Sequence, residues 1–114
     1  MRFFTAQEFK MGHVCVFDKM DTDFLLKLDM LRELLGEPMV ITSSYRSESY
    51  NKGIGGSTKS MHLTGKAVDI SISNYNAQTR TNLVQLALSL GLTVGVARTF
   101  IHLDDREVQT VFGY

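Results

Sequence analysis

The chain has no tryptophan, one proline and one cysteine in 114 residues, and its charges cancel. Each shortage excludes something. Cys15, alone, cannot close an internal disulfide and is not needed as a ligand; it is expected as a small buried apolar group. Twelve basic side chains stand against twelve acidic ones with no concentrated basic patch, so nothing pushes the chain toward nucleic acid. No apolar run approaches the ~20 residues of a membrane span. Residues Met1 to Lys10 also lack the basic-then-apolar build of an export signal. What remains is ordinary: 44% hydrophobic and 21% charged residues are globular proportions. Residues 1–114 are expected to form one domain, and a monomer.

The informative stretch is Ser60-Met61-His62-Leu63-Thr64-Gly65-Lys66-Ala67-Val68-Asp69. From Ala67 the residues alternate: Val68, Ile70 and Ile72 share one face of a strand, and Asp69, Ser71 and Ser73 share the other. Gly65 allows a turn that folds His62 back over the polar face. Near the C-terminus Phe100, His102 and Asp104 alternate with Ile101 and Leu103 in the same way. If these strands pair, His62, Asp69 and His102 converge as zinc ligands. Three protein ligands leave a fourth position for water, the arrangement of a catalytic zinc site. The competing reading is two polar faces that meet solvent, as in many antiparallel sheets.

The pattern Ser-x-His-x-x-Gly-x-Ala-x-Asp followed by His-x-Asp resembles the zinc D-alanyl-D-alanine peptidase family. Upstream, Ile41-Thr42-Ser43-Ser44-Tyr45-Arg46-Ser47 is similar to that family's strand ending in Ser-x-Tyr-Arg, and Asn51 with Gly55-Gly56 to its Asn-x-x-x-Gly-Gly loop. The resemblance runs from about Phe24 to the end. It implies one Zn²⁺ per chain, held by His62, Asp69 and His102, with Arg46 binding substrate beside Tyr45 and Ser60; Arg46 is also expected to act in catalysis by supporting the developing oxyanion. It also implies hydrolysis of peptidoglycan peptides by a carboxypeptidase or an endopeptidase. Such an enzyme without an export signal would leave by lysis or travel in a phage particle. The short chain, nearly free of insertions, suggests an open cleft and favours an endopeptidase.

Two features depart from the family pattern. Several members carry Glu, Asp or His a few residues before the last zinc histidine, whereas Val96-Ala97-Arg98-Thr99 holds none. The tryptophan-bearing approach to that histidine is also missing. Asp104, on the strand face of His102, is therefore expected as the general base. Its alternative role is to accept the other N–H of the ligating imidazole. A zinc-bearing binding module, as the Hedgehog signalling domain resembles this family without relying on peptidolysis, and a virion component are the competing functions.

The rest of the chain reads as scaffold, an α+β fold with a small antiparallel sheet, helices on one face and the cleft on the other. Thr5 is expected to cap a short turn with Glu8 as its partner, over Phe4 and Phe9. A helix capped by Asp21 or Thr22 buries Phe24, Leu28, Leu31 and Leu35, and Gly36 and Pro38 end it. Met39 to Ser43 form a strand, and Ser47 to Lys59, rich in glycine and serine, a loop. A second helix runs from about Ala77 to Leu90. Strands at Thr93 to Ala97 and Phe100 to Leu103 meet in a tight hairpin. Val111, Phe112 and Tyr114 of the tail are expected at the edge of the site. His13 has no metal partner at a telling distance.

Overall fold

Capping and apolar spacing account for both long helices. The computed structural model describes residues 2–114. Helix α1 (Thr22–Leu35) starts where the Asp21 carboxylate accepts the Phe24 N–H at 3.0 Å, and it stops at Gly36, whose φ of 71° is left-handed. It buries Phe24, Leu25, Leu28 and Leu31. The Asn76 side chain accepts the Thr79 N–H at 2.8 Å and opens a helix over Ala77–Ser89, which buries Leu83 and Ala87. At the N-terminus the Glu8 carboxylate accepts the Thr5 N–H at 2.7 Å, closing the expected turn, and Phe4 and Phe9 are buried.

Between the two long helices lies one element absent from the sequence reading. Ser47 accepts the Tyr50 N–H at 3.2 Å and starts a six-residue helix, α2 (Glu48–Gly53), inside the segment expected to be loop. Six residues are too few for helical periodicity to show, so only the cap signalled it. The helix at Ala77–Ser89 is therefore α3.

Two sheets account for the β structure. Strands β1 (Lys10–Met11) and β2 (Val14–Cys15) form a small hairpin, turning at Gly12 with φ 61°. Cys15 is exposed there, against expectation, its thiol donating to the Ala6 carbonyl at 3.3 Å. The main sheet comprises β3 (Val40–Ser43), β4 (Ala67–Ser71), β5 (Thr93–Val96), β6 (Phe100–Asp104) and β7 (Val111–Gly113), in the spatial order β3-β4-β6-β5-β7. The first four are antiparallel, but β7 runs parallel to β5, so the sheet is antiparallel with one parallel edge. Val68, Ile70, Val94, Ile101 and Leu103 pack with α1 and α3 in one apolar core. Burying such side chains contributes roughly 1.5–3 kcal/mol each relative to exposure. The opposite sheet face carries Asp69, His102 and Asp104, with the aromatic rings of Phe100 and Phe112 beside them.

Gly65 joins the sheet to the start of α1. Its φ is 72°, its carbonyl accepts the Asp21 N–H at 3.0 Å, and an added Cβ would stand 2.2 Å from the Lys19 carbonyl oxygen. Left-handed strain and a backbone clash both oppose a side chain here. Gly65→Ala should lower stability by roughly 2–5 kcal/mol, read as a fall in the denaturation midpoint. A variant within about 1 kcal/mol of wild type would refute this packing.

Candidate metal centre

One transverse row of the sheet builds the site. Ser43, Asp69, His102, Gly95 and Phe112 are successive cross-strand partners on β3, β4, β6, β5 and β7. Cross-strand partners have Cβ atoms about 4.5–5.5 Å apart on a shared face, so pairing alone brings the Asp69 carboxylate beside the His102 imidazole. Gly95 has a steric role: a Cβ there would meet the Phe112 ring at 2.5 Å. Without it Phe112 could not lie over this row, with its ring centroid 5.6 Å from that of His102.

His62 arrives from outside the row. It sits in a 3-10 turn, Met61–Thr64, whose N-cap Ser60 accepts the His62 N–H at 3.2 Å. The His62 carbonyl accepts the Arg46 N–H at 3.0 Å, which docks the turn on the end of β3. A register shift between Ile41 and Ser43 marks this end of the β3–β4 pair. Just beyond it, the Ser44 carbonyl lies 2.7 Å from His62 Nδ1.

The hydrogen bonds fix the tautomer that each neutral ring presents to a metal. A carbonyl can only accept, so His62 Nδ1 carries the proton and Nε2 presents its lone pair, 3.3 Å from Asp69 Oδ1. The Asp104 carboxylate lies 2.7 Å from His102 Nε2 and accepts its proton, leaving Nδ1 3.1 Å from the same Asp69 oxygen. Two imidazole nitrogens and one carboxylate oxygen thus converge, all within 4.8 Å of one another. Ligands about 2.0–2.1 Å from a tetrahedral zinc stand roughly 3.3 Å apart. The donor set and its spacing fit a divalent zinc ion.

Charge is arranged around the same point. The lone-pair tautomers belong to the metal-binding state; with no metal bound, burial alone would raise the Asp69 carboxyl, but His102 and His62 donating to it overcome that and hold its pKa at about 2. Asp104 is fully buried; burial again pushes upward, and Arg106 and His102 bring it to about 2. Burial pushes His102 down, and Asp104 and Asp69 together raise it above its ordinary value. In metal-free protein the two carboxylates contribute stability that is present above pH 4 and lost as pH falls toward 2, at most about 2 kcal/mol each. The raised His102 contributes stability present below about pH 6.5 and lost as pH rises through its folded pKa. Denaturant titrations of chelator-treated protein across pH should therefore show both losses. A profile flat between pH 4 and 2 would contradict the pairing.

The Peptidase M15 family matches residues 3–104. The chain belongs to that family. Peptidase M15 comprises the zinc D-Ala-D-Ala peptidases, and zinc dependence is general in it. No curated protein matches the chain. Among the described residues, no helix is long and apolar enough to cross a membrane.

Around His62, Asp69 and His102 lies a cleft of about 480 Å³. Arg46 and Ser60 line it, as the sequence suggested, and so do Phe112 and Tyr114 of the tail, both beyond the matched residues. Tyr45 does not line it: its side chain packs against the apolar core. Asp104 does not line it either, lying behind the His102 ring and bonded to Arg106 Nη2 at 2.6 Å. Arg106 and Lys59, which do line the cleft, were missed as site residues. For Arg106 the only signal was its position two residues after Asp104. Arg46 is largely occupied, donating to Ser43 at 3.0 Å, Asn51 at 3.2 Å and Asp69 Oδ2 at 3.3 Å.

Proposed function

We propose that the chain is a zinc-dependent hydrolase of peptide bonds in bacterial peptidoglycan stem peptides or cross-links, with His62, Asp69 and His102 as metal ligands. The observation that carries this reading is the convergence of two imidazole nitrogens on one carboxylate oxygen, at 3.3 and 3.1 Å, with all three atoms within 4.8 Å of one another. A bound zinc supplies Lewis acidity there, polarising a carbonyl and bringing a water's pKa to about 7. The chain's own residues hold and orient. Ser44 and Asp104 fix the two imidazoles from behind. Arg46 holds Asp69 and keeps two of its five N–H groups for a substrate carbonyl or carboxylate. Ser60 stands beside it as a hydroxyl partner. Lys59 and Arg106 add positive charge, which suits the free carboxylates of stem peptides.

Asp104 acts in this reading through His102, as a positioning residue and not as the base. Its burial and its place behind the ring remove it from a water in the cleft. That same fact favours a second reading. Among the described residues lining the cleft, Asp69 is the single carboxylate, and it is committed to both imidazoles and Arg46. A zinc-bearing binding module with little turnover fits that shortage of a free base.

Purified peptidoglycan digested with zinc-loaded protein, then analysed by mass spectrometry, separates the readings. Conversion of cross-linked dimers to monomers marks an endopeptidase, and loss of a terminal residue a carboxypeptidase. Both should vanish with chelator. Stoichiometric zinc without any product would leave the binding module.

A further inference from the structure

Asn51 is a buried polar side chain, 3% exposed, that touches neither the metal-ligand triad nor the cleft. Both ends of its carboxamide are committed. Oδ1 accepts from Arg46 Nη1 at 3.2 Å, and Nδ2 donates to the Ser57 carbonyl at 2.9 Å. Its backbone carbonyl accepts the Gly56 N–H at 2.8 Å. Gly56 packs so closely that a Cβ there would stand 2.0 Å from Oδ1. One amide therefore connects two structures with different roles. On one side is the guanidinium that holds Asp69 Oδ2. On the other is the Gly55–Ser60 segment, whose glycines and serines form a wall of the cleft.

Resting on the hydrolase reading above, we infer that Asn51 is a positioning residue: it sets the Arg46 guanidinium against Asp69 and ties that arrangement to the cleft wall. The amide is suited to the task because it accepts and donates at once; a carboxylate only accepts, and an alkyl group does neither. Arg46 turned by the amide presents its third nitrogen to Asp69, and Asp69 so held presents Oδ1 to the two imidazoles. A substrate pressing on the Gly55–Ser60 wall acts on the same chain of bonds. Substrate contact and metal-ligand geometry are then one mechanical unit.

Three variants separate this role from simple loop bracing. Asn51→Asp keeps the acceptor toward Arg46 and loses the donor toward Ser57. Asn51→Ala loses both. Gly56→Ala retains the amide and displaces it. Zinc affinity measured by chelator competition should fall in Asn51→Ala and Gly56→Ala by a few-fold to about tenfold, less than the ~10–100-fold of a group bonded directly to a ligand. In Asn51→Asp it should stay within about twofold of wild type, because the bond to Arg46 survives. Hydrogen exchange of residues 56–60 should quicken in both Asn51 variants. Equal zinc affinities in Asn51→Ala and wild type would overturn the inference, as would equal losses in Asn51→Ala and Asn51→Asp. If Asn51→Ala fails to fold, the contrast of Asn51→Asp with Gly56→Ala decides by the same criterion. None of these measurements needs turnover, so failure of the hydrolase reading, seen as absent product from wild type, remains a separate result.

Discussion

Replacing His62 with alanine is expected to abolish stoichiometric zinc binding. The change removes a donor outright, so affinity should fall by more than the ~10–100-fold that follows loss of a partner behind a ligand. Its Nε2 stands 3.3 Å from Asp69 Oδ1, and no other imidazole among the described residues reaches the site except His102. A ligand present at a thousand times its Kd stabilises by about 4 kcal/mol. Wild type should therefore melt higher with added zinc, and His62→Ala should not. The variant also strands the Ser44 carbonyl, which His62 Nδ1 meets at 2.7 Å. Leaving a buried acceptor unpaired costs roughly 1–3 kcal/mol, so the metal-free variant should itself be less stable. A zinc-dependent rise in melting temperature that survives the substitution would place the ion elsewhere.

The second large effect is expected at Asp104, where two roles predict different numbers. As a positioning group it fixes His102 by accepting at Nε2, so Asp104→Asn should lower zinc affinity by about 10–100-fold. The amide cannot satisfy both neighbours: if its oxygen takes the place of Oδ2, facing His102 and Arg106 Nη2, its NH₂ takes the place of Oδ1, which now accepts from Arg106 Nε at 2.9 Å and from the Arg106 backbone N–H at 3.1 Å. As a general base, by contrast, Asp104 would leave zinc affinity intact on mutation and lower only kcat, by about 10²–10⁴-fold. Chelator competition and steady-state rates on the same preparation distinguish them. The burial of Asp104 predicts the first outcome.

Much of this centre was legible because strand alternation reports which residues share a face. Asp69 and His102 needed only the β4–β6 register to meet, and their own apolar neighbours, Ile70 and Ile101, fixed that face. Asp104 shows the limit of the same logic. Alternation put it beside His102 but could not say on which side of the ring it would lie. That is settled by the imidazole's rotation and by Arg106, neither of which has a period. Tyr45 was carried toward the cleft by its neighbour Arg46, yet adjacent residues on an extended chain point apart, and the core took it. The parallel edge strand β7 escaped because Val111–Gly113 is three residues long and pairs with a strand 15 or more residues away. Cys15 was expected inside on average behaviour for its type, and a two-residue hairpin strand left it outside.

The most direct test is X-ray absorption at the zinc edge on protein loaded with one equivalent of zinc, compared with His102→Ala. The account predicts one ion per chain in a shell of two imidazole nitrogens and light oxygen donors, reduced to one imidazole in the variant. A zinc shell unchanged by that substitution, or no tightly held zinc in the wild-type chain, would contradict it.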